Sequence, residues 1–333
     1  MLITRLPTTL GPLLDRQYSV VSRGQLLAAG VDDGTTYRKV RAGQWQRLLP
    51  GIFLLTAGPP GTEQRRVAAA LFAGEQAQLT GLSVLHWYGF RSAPATDRVH
   101  VLIPHDVHRR STGFVVVQRA LSLDARARHG GVYWVTSPAR AVVDACRALT
   151  QLRDVRAIVA EAIQANHTTA RAIDAELRRA ARSRTGLTRR ALGEVLAGVR
   201  SAPEAELRDL TRQSKILPPI LWNPTLTTLD GRRLPTPDGW IDDVGLALQV
   251  GSAEYHSRDT GWANTLDRHN AVLADSAPAS YAELAKHDVQ VLHITPTEIR
   301  TVPRRVLATI EQAYRARRAS GVRARVIATP IAA

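Results

Sequence analysis

Ser19-Val-Val-Ser-Arg-Gly-Gln-Leu-Leu-Ala-Ala-Gly30 decides how the N-terminal part of the chain is read. Ser22 followed three residues later by Gln25 is a capping box, in which hydroxyl and amide each satisfy a backbone N–H left over at a helix start. Gly30 is a natural stop, because glycine enters the left-handed conformation of a helix end without a Cβ penalty. One short helix lies between them, with Leu26 and Leu27 expected to face inward. A tight turn through Val31 and Asp32 leads to a second helix, Gly34-Thr-Thr-Tyr-Arg-Lys-Val-Arg-Ala-Gly43, with Asp33 as its expected cap. Tyr37 and Val40, three apart, are its expected buried pair. Two β-prone runs follow, Gln44–Leu49 and Ile52–Thr56, joined by Pro50-Gly51. Helix, turn, helix and hairpin in that order is the winged helix-turn-helix plan.

Such a module suits duplex DNA. The major groove, about 12 Å wide, admits one helix whose early residues meet base edges while nearby cations neutralise phosphates. Here the second helix offers the hydroxyls of Thr35 and Thr36 first, then Arg38, Lys39 and Arg41. Gln44 and, on the wing, Arg47 complete the expected contacts. Use of the same module for protein contact alone is the competing reading.

Composition points the same way. The chain has 333 residues, with 44 basic against 29 acidic side chains and a formal net charge of +15. That length predicts two or three domains, since single cores rarely grow past about 250 residues. An apolar fraction of 44% excludes disorder as the dominant state. Only Lys39, Lys215 and Lys286 are lysines, so the other 41 cations are arginines. A guanidinium keeps its charge and grips phosphate or guanine bidentately. A GC-rich coding sequence accounts for Arg over Lys, but less for the surplus, because such codons supply acids too. The single cysteine, Cys146, excludes an internal disulfide and fits a reducing compartment. No apolar run approaches the roughly 18–20 residues of a bilayer span, and the first residues lack the pattern of a secretory signal. The expectation is a cytoplasmic protein with no membrane partner.

Gly58-Pro-Pro-Gly61 closes the first expected domain, residues 1–60. Residues 61–150 read as a mixed α/β domain: a helix over Glu63–Ala73, strand-like runs at Val99–Ile103 and Phe114–Gln118, and a helix opened by Ser137-Pro138. Residues 151–200 read as a helical connector with ten arginines against five acids. Its stretch 178–190 holds six arginines and no acid, either a solvated face or a phosphate contact. A third domain spans 201–318, and the tail 319–333 is expected to fray.

Val21-Ser-Arg-Gly-Gln-Leu-Leu-Ala-Ala-Gly-Val31 and Val40-Arg-Ala-Gly-Gln-Trp-Gln-Arg-Leu-Leu-Pro-Gly-Ile-Phe53 resemble the N-terminal domain of AbiEi-family antitoxins, winged-helix regulators of type IV toxin–antitoxin systems. The likeness extends more loosely through Leu79–Phe90 and Val99–Pro104 into the family's following α/β domain. The resemblance implies binding to double-stranded promoter DNA, usually the protein's own, and a possible cognate toxin protein as partner. His86 and Trp87 are read as core packing, because no carboxylate or second His stands at a useful spacing.

Ser201-Ala-Pro-Glu204 is a further cap pattern, opening a helix through about Lys215. Leu226–Leu229 follows as a strand, and Leu246–Val250 is the near-continuous apolar run of a buried central strand. A helix over Trp262–Asp275, a strand over Val289–Ile294 and a helix over Pro303–Arg318 give the order α-β-β-α-β-α. This order is similar to the DUF559/Vsr-like branch of the PD-(D/E)XK nuclease superfamily, a restriction-endonuclease-like α/β fold. The resemblance places the family's helix Glu on Glu204 and its first Asp on Asp238. Its strand pair, normally Glu-x-Asp, falls on Gln249-Val-Gly251. Gln249 carries no charge and Gly251 no side chain, whereas Mg²⁺ is a hard ion that is held through carboxylates. The expected fold class is therefore multidomain α/β: a winged helix-turn-helix, a central α/β domain and a catalytically degenerate nuclease-like domain needing no metal or cofactor. The expected function is a DNA-binding, autoregulatory transcriptional regulator of AbiEi type. The alternative is a Mg²⁺-dependent DNA endonuclease targeted by the winged helix. That reading draws a substitute acid from Asp242, Asp243 or Glu254, with His256 orienting water; Glu254 has the wrong strand parity unless the chain bends near Gly251-Ser252. His269 and His293 read as surface and strand residues.

Overall fold

The computed structural model describes residues 7, 10–180, 183–251 and 279–330. The chain is an α/β protein that separates into two compact units, 1–190 and 191–333.

In the first unit, helix α1 (Gly11–Arg16) leads into strand β1 (Val20–Ser22), then α2 (Arg23–Ala28), α3 (Asp33–Arg41), β2 (Gln46–Leu49) and β3 (Ile52–Leu54). The three strands form one antiparallel sheet in the order β1-β3-β2. The capping box forms as its spacing implies: Ser22 Oγ accepts from Gln25 N–H at 3.2 Å, and Gln25 Oε1 accepts from Ser22 N–H at 2.8 Å. Gly30 has φ +83°, the left-handed stop. A small core joins Leu10, Val21, Leu26, Val31, Trp45 and Phe53.

Three local expectations are corrected here. The cap of α3 is Asp32, whose Oδ1 accepts from Thr35 N–H at 2.7 Å; Asp33 is the first helical residue. Leu27 is 42% exposed, leaving Leu26 as the inward leucine. Tyr37 is 61% exposed, and the inward residues of α3 are Thr36 and Val40, four apart. Trp45 and Phe53, arriving from the hairpin, already fill the aromatic space of this core.

Helix α4 (Thr62–Ala73) contacts the small sheet and also the next one, so the two share an element. That larger mixed sheet has the order β6-β5-β4-β8-β7, from β4 (Gln78–Thr80), β5 (Val99–Pro104), β6 (Val115–Ala120), β7 (Arg128–His129) and β8 (Trp134–Val135). Helices α5 (Gly81–Trp87), α6 (Pro138–Cys146), α7 (Leu152–Gln164) and α8 (Ala170–Arg179) accompany it. Val155, Ile158, Ile173 and Leu177 are fully buried, so α7 and α8 carry core side chains. Glu176, 2% exposed, is held by Arg126 at 2.9 Å and Arg179 at 3.1 Å.

Helix α9 (Gly186–Leu196) runs across the division between the units. In the second unit α10 (Ala202–Thr211) precedes β9 (Leu221–Trp222), β10 (Thr225–Thr228), β11 (Gly239–Ile241) and β12 (Leu246–Val250). Then come α11 (Ala279–Ala285), β13 (Gln290–Ile294), α12 (Pro296–Thr301), α13 (Pro303–Ser320) and β14 (Val326–Thr329). The order β13-β12-β11-β9 makes a mixed sheet in which β12 and β13 are parallel. Leu246–Leu248 are fully buried, as a two-sided central strand requires. The tail expected to fray from Ala319 instead supplies β14, which pairs antiparallel with β10. The expected helix Trp262–Asp275, with Glu254, His256 and His269, lies outside the described residues. Among the described residues no helix is long and apolar enough to cross a membrane.

Candidate nucleic-acid interface

The solvent side of α3 carries Gly34, Tyr37, Arg38 and Arg41, all exposed and spaced three or four apart. Arg38 lies back along the helix, donating from Nη2 to Thr35 Oγ1 at 2.8 Å and from Nε to Gly34 O at 3.4 Å. The Thr35 hydroxyl in turn donates to Asp32 Oδ2 at 3.0 Å, and these bonds hold the Asp32 carboxyl below its usual range. Thr35 is therefore half-buried and engaged at the helix start. Thr36, expected among the groove contacts, is only 3% exposed and donates its hydroxyl to Asp32 O at 3.1 Å. It serves the helix and is removed from the contact set. Lys39 is half-buried, while Arg41, Gln44 and Arg47 are exposed.

Between α3 and the hairpin lies a cleft of about 280 Å³, with Arg23, Asp33, Tyr37, Arg47 and Phe53 in its lining. Arg23 is gripped bidentately by Asp33, at 2.8 Å through Nε and 2.5 Å through Nη2. That pair raises the Arg23 guanidinium and lowers the Asp33 carboxyl. Five cations thus stand on or beside α3 and the wing, with Asp32 and Asp33 at one end. Sequence reasoning missed Arg23 and Tyr37. The usable signal for Tyr37 is its i,i+4 relation to Arg41, on the charged side of the helix.

In the second unit Glu204, Asp238 and Gln249 are linked through Asn223 and a direct side-chain hydrogen bond. Glu204, 5% exposed in the first turn of α10, accepts on Oε2 from Arg200 N–H at 2.9 Å and Asn223 Nδ2 at 3.0 Å. Asn223 adopts φ +51° and donates its N–H to Asp238 O at 3.0 Å. Asp238 Oδ2 accepts from Gln249 Nε2 and Val250 N–H, both at 2.7 Å. Burial pushes the Asp238 carboxyl up to about 7; the Val250 bond opposes this, the Glu204 charge adds to it and Arg200 lowers it. Gln249 Oε1 is buried and unbonded among the described residues. Among the described residues no atom lies within 4 Å of where a Gly251 side chain would begin.

These residues do not fit Mg²⁺. A metal ligand must offer a lone pair, yet Gln249 turns its amide N–H toward Asp238, presenting a donor and not a lone pair to that acid. Two of the substitute acids are engaged elsewhere, Asp242 accepting from Trp240 Nε1 at 2.8 Å and Asp243 from Tyr314 OH at 2.9 Å, while Glu254 lies outside the described residues. Among the described residues no three His, Cys, Asp or Glu converge as a metal-holding group. His293 lies on β13 opposite Gln249.

No model of a known protein family matches the sequence, and no curated protein matches it. Among solved structures, the crystal structure of the Rv2827c protein from Mycobacterium tuberculosis is similar over 57% of this chain and 78% of that one, with 16% sequence identity and a TM-score of 0.38.

Proposed function

We propose that the protein is a DNA-binding transcriptional regulator of AbiEi antitoxin type, reading duplex DNA with a winged helix in residues 10–58. One observation carries this reading: α3 presents Tyr37, Arg38 and Arg41 to solvent beside the wing's Arg47. The helix thereby offers a planar aromatic ring and forked donors, the groups suited to base edges and phosphates. The residues after 190 form a nuclease-like domain whose catalytic positions are neutralised, Asp238 by its own burial, with the Gln249 amide occupying its Oδ2. The test is a mobility shift of the protein on a fragment of its own upstream region. Affinity should fall steeply with rising salt, because each neutralised phosphate releases counterions. Arg38→Ala with Lys39→Ala should weaken the shift at least tenfold, about 1.4 kcal/mol or more; an undiminished shift removes α3 from the interface.

The endonuclease reading is answered in the same tube. Supercoiled plasmid with Mg²⁺ or Mn²⁺ should stay intact, and cleavage abolished by Asp238→Ala would overturn the neutralised assignment. A cognate toxin, the remaining expected partner, is sought by co-purification with the product of the adjacent gene.

A further inference from the structure

The loop His105-Asp-Val-His-Arg-Arg-Ser111 leaves β5 at Pro104 and carries four basic or titratable side chains against one acid. His105, His108, Arg109 and Arg110 are all exposed. Among the described residues neither Arg109 nor Arg110 has a carboxylate within ion-pair distance. The loop is nonetheless positioned. Val107 N–H closes a turn onto Pro104 O at 3.1 Å, and Val117 N–H donates to Ser111 Oγ at 3.0 Å. The Arg109 guanidinium stands 5.5 Å from the centre of the Phe72 ring on α4.

The end of this loop packs against the wing. A Cβ at Gly113 would lie 3.3 Å from Leu49 Cδ2, and Leu49 closes β2, two residues beyond Arg47. Next to it, the Arg65 guanidinium covers the Phe114 ring at 4.9 Å. The basic loop is thus held beside the strand that carries the wing's own cation, although more than fifty residues of sequence separate them. Two exposed guanidiniums with no carboxylate partner among the described residues, on a loop that leads into the Gly113–Leu49 contact with the wing, fit the phosphates of a DNA backbone.

We propose that the 105–111 loop is a second DNA-contacting element, in which Arg109 and Arg110 hold backbone phosphates flanking the stretch read by α3. The proposal rests on the winged-helix reading above. It adds that the central α/β region contributes affinity without sequence choice, since phosphate contacts position a protein and carry no base information.

The test uses the full chain and fluorescence anisotropy on two labelled duplexes: one limited to the footprint of α3 and the wing, and one extended by a helical turn on each side. For the extended duplex, Arg109→Ala with Arg110→Ala should flatten the dependence of log affinity on log salt by about 2, near 0.9 per lost phosphate. Preference for the upstream fragment over a scrambled one should be unchanged, and the short duplex should be affected less. Arg109→Glu with Arg110→Glu should weaken the extended complex further, with unaltered circular dichroism showing that the fold is kept. An unchanged slope on the extended duplex in both variants overturns the proposal, as does capture of an acidic protein by the loop with no change on DNA. Failure of the wild-type chain to bind either duplex overturns the winged-helix reading, and this proposal with it.

Discussion

Residues 1–190 hold 27 basic against 13 acidic side chains, whereas residues 191–333 hold 17 against 16. Nearly the whole surplus of the chain therefore sits in one unit. A genome-wide preference for arginine codons acts on both halves alike, so it does not explain this difference. The two units also treat their charges oppositely. Around α3, the exposed Arg38, Arg41 and Arg47 face water with no carboxylate gripping them among the described residues. Around Asp238, the acids are turned inward and tied to amide donors from Asn223, Gln249 and the backbone. Exposed cations are free to exchange water and counterions for phosphate, while buried, internally bonded acids have given up their capacity to ligate.

The largest expected effect on DNA binding falls on the first unit. Arg38→Ala with Arg41→Ala should weaken duplex binding by about 30-fold or more, taking roughly 1–3 kcal/mol for each guanidinium that contacts a base edge or phosphate. Equal loss on specific and scrambled duplex would reassign both residues to phosphates alone.

Next comes the acid cluster, through its pH dependence. Folding raises the Asp238 carboxyl to about 7, so the folded state binds that proton more tightly than the unfolded chain. The resulting stabilisation is present below the ordinary aspartate range and is lost as pH rises toward 7. A span of three pH units at about 1.4 kcal/mol each makes the whole loss of order 4 kcal/mol. Asp238→Asn keeps an acceptor for Gln249 and Val250 and removes the titration. Urea unfolding at pH 5 and pH 8 should show the variant gaining on the wild type as pH rises. Parallel behaviour would mean that Asp238 is ionised at little cost, as a working metal ligand would be.

Asp32→Ala should destabilise the first unit through loss of its side-chain cap, read as a lowered urea midpoint. The smallest effect concerns the ion pair beside the cleft. Asp33→Asn releases Arg23 and should tighten non-specific duplex binding by a few-fold at most, since the pair is exposed and screened. No change would leave Arg23 outside the interface.

How much of this was legible in the sequence follows from the range of each interaction. The box of Ser22 and Gln25, the stop at Gly30 and the strand Leu246–Val250 are local, and all three form where the residues place them. Asp32 and Asp33 are equally eligible caps by spacing, and only backbone geometry separates them. Tyr37 reads as a core residue by helical period, but the aromatic residues of that core, Trp45 and Phe53, come from a hairpin whose packing no helical period reveals. Likewise β14 finds its partner β10 about a hundred residues upstream, so the tail reads as fray until the pairing is known. Glu204, Asp238, Gln249 and Gly251 were singled out through the resemblance alone. The bond from the Gln249 amide to Asp238 depends on the antiparallel register that sets Gly239 opposite Leu248, which becomes visible only in the fold.

Photocrosslinking of the full chain to its own upstream duplex, with the attached peptides identified by mass spectrometry, tests the central claim most directly. Crosslinks concentrated in residues 34–47 and 105–111 are the predicted result. Crosslinks gathered instead around Asp238 and α10, with none in α3, would contradict it.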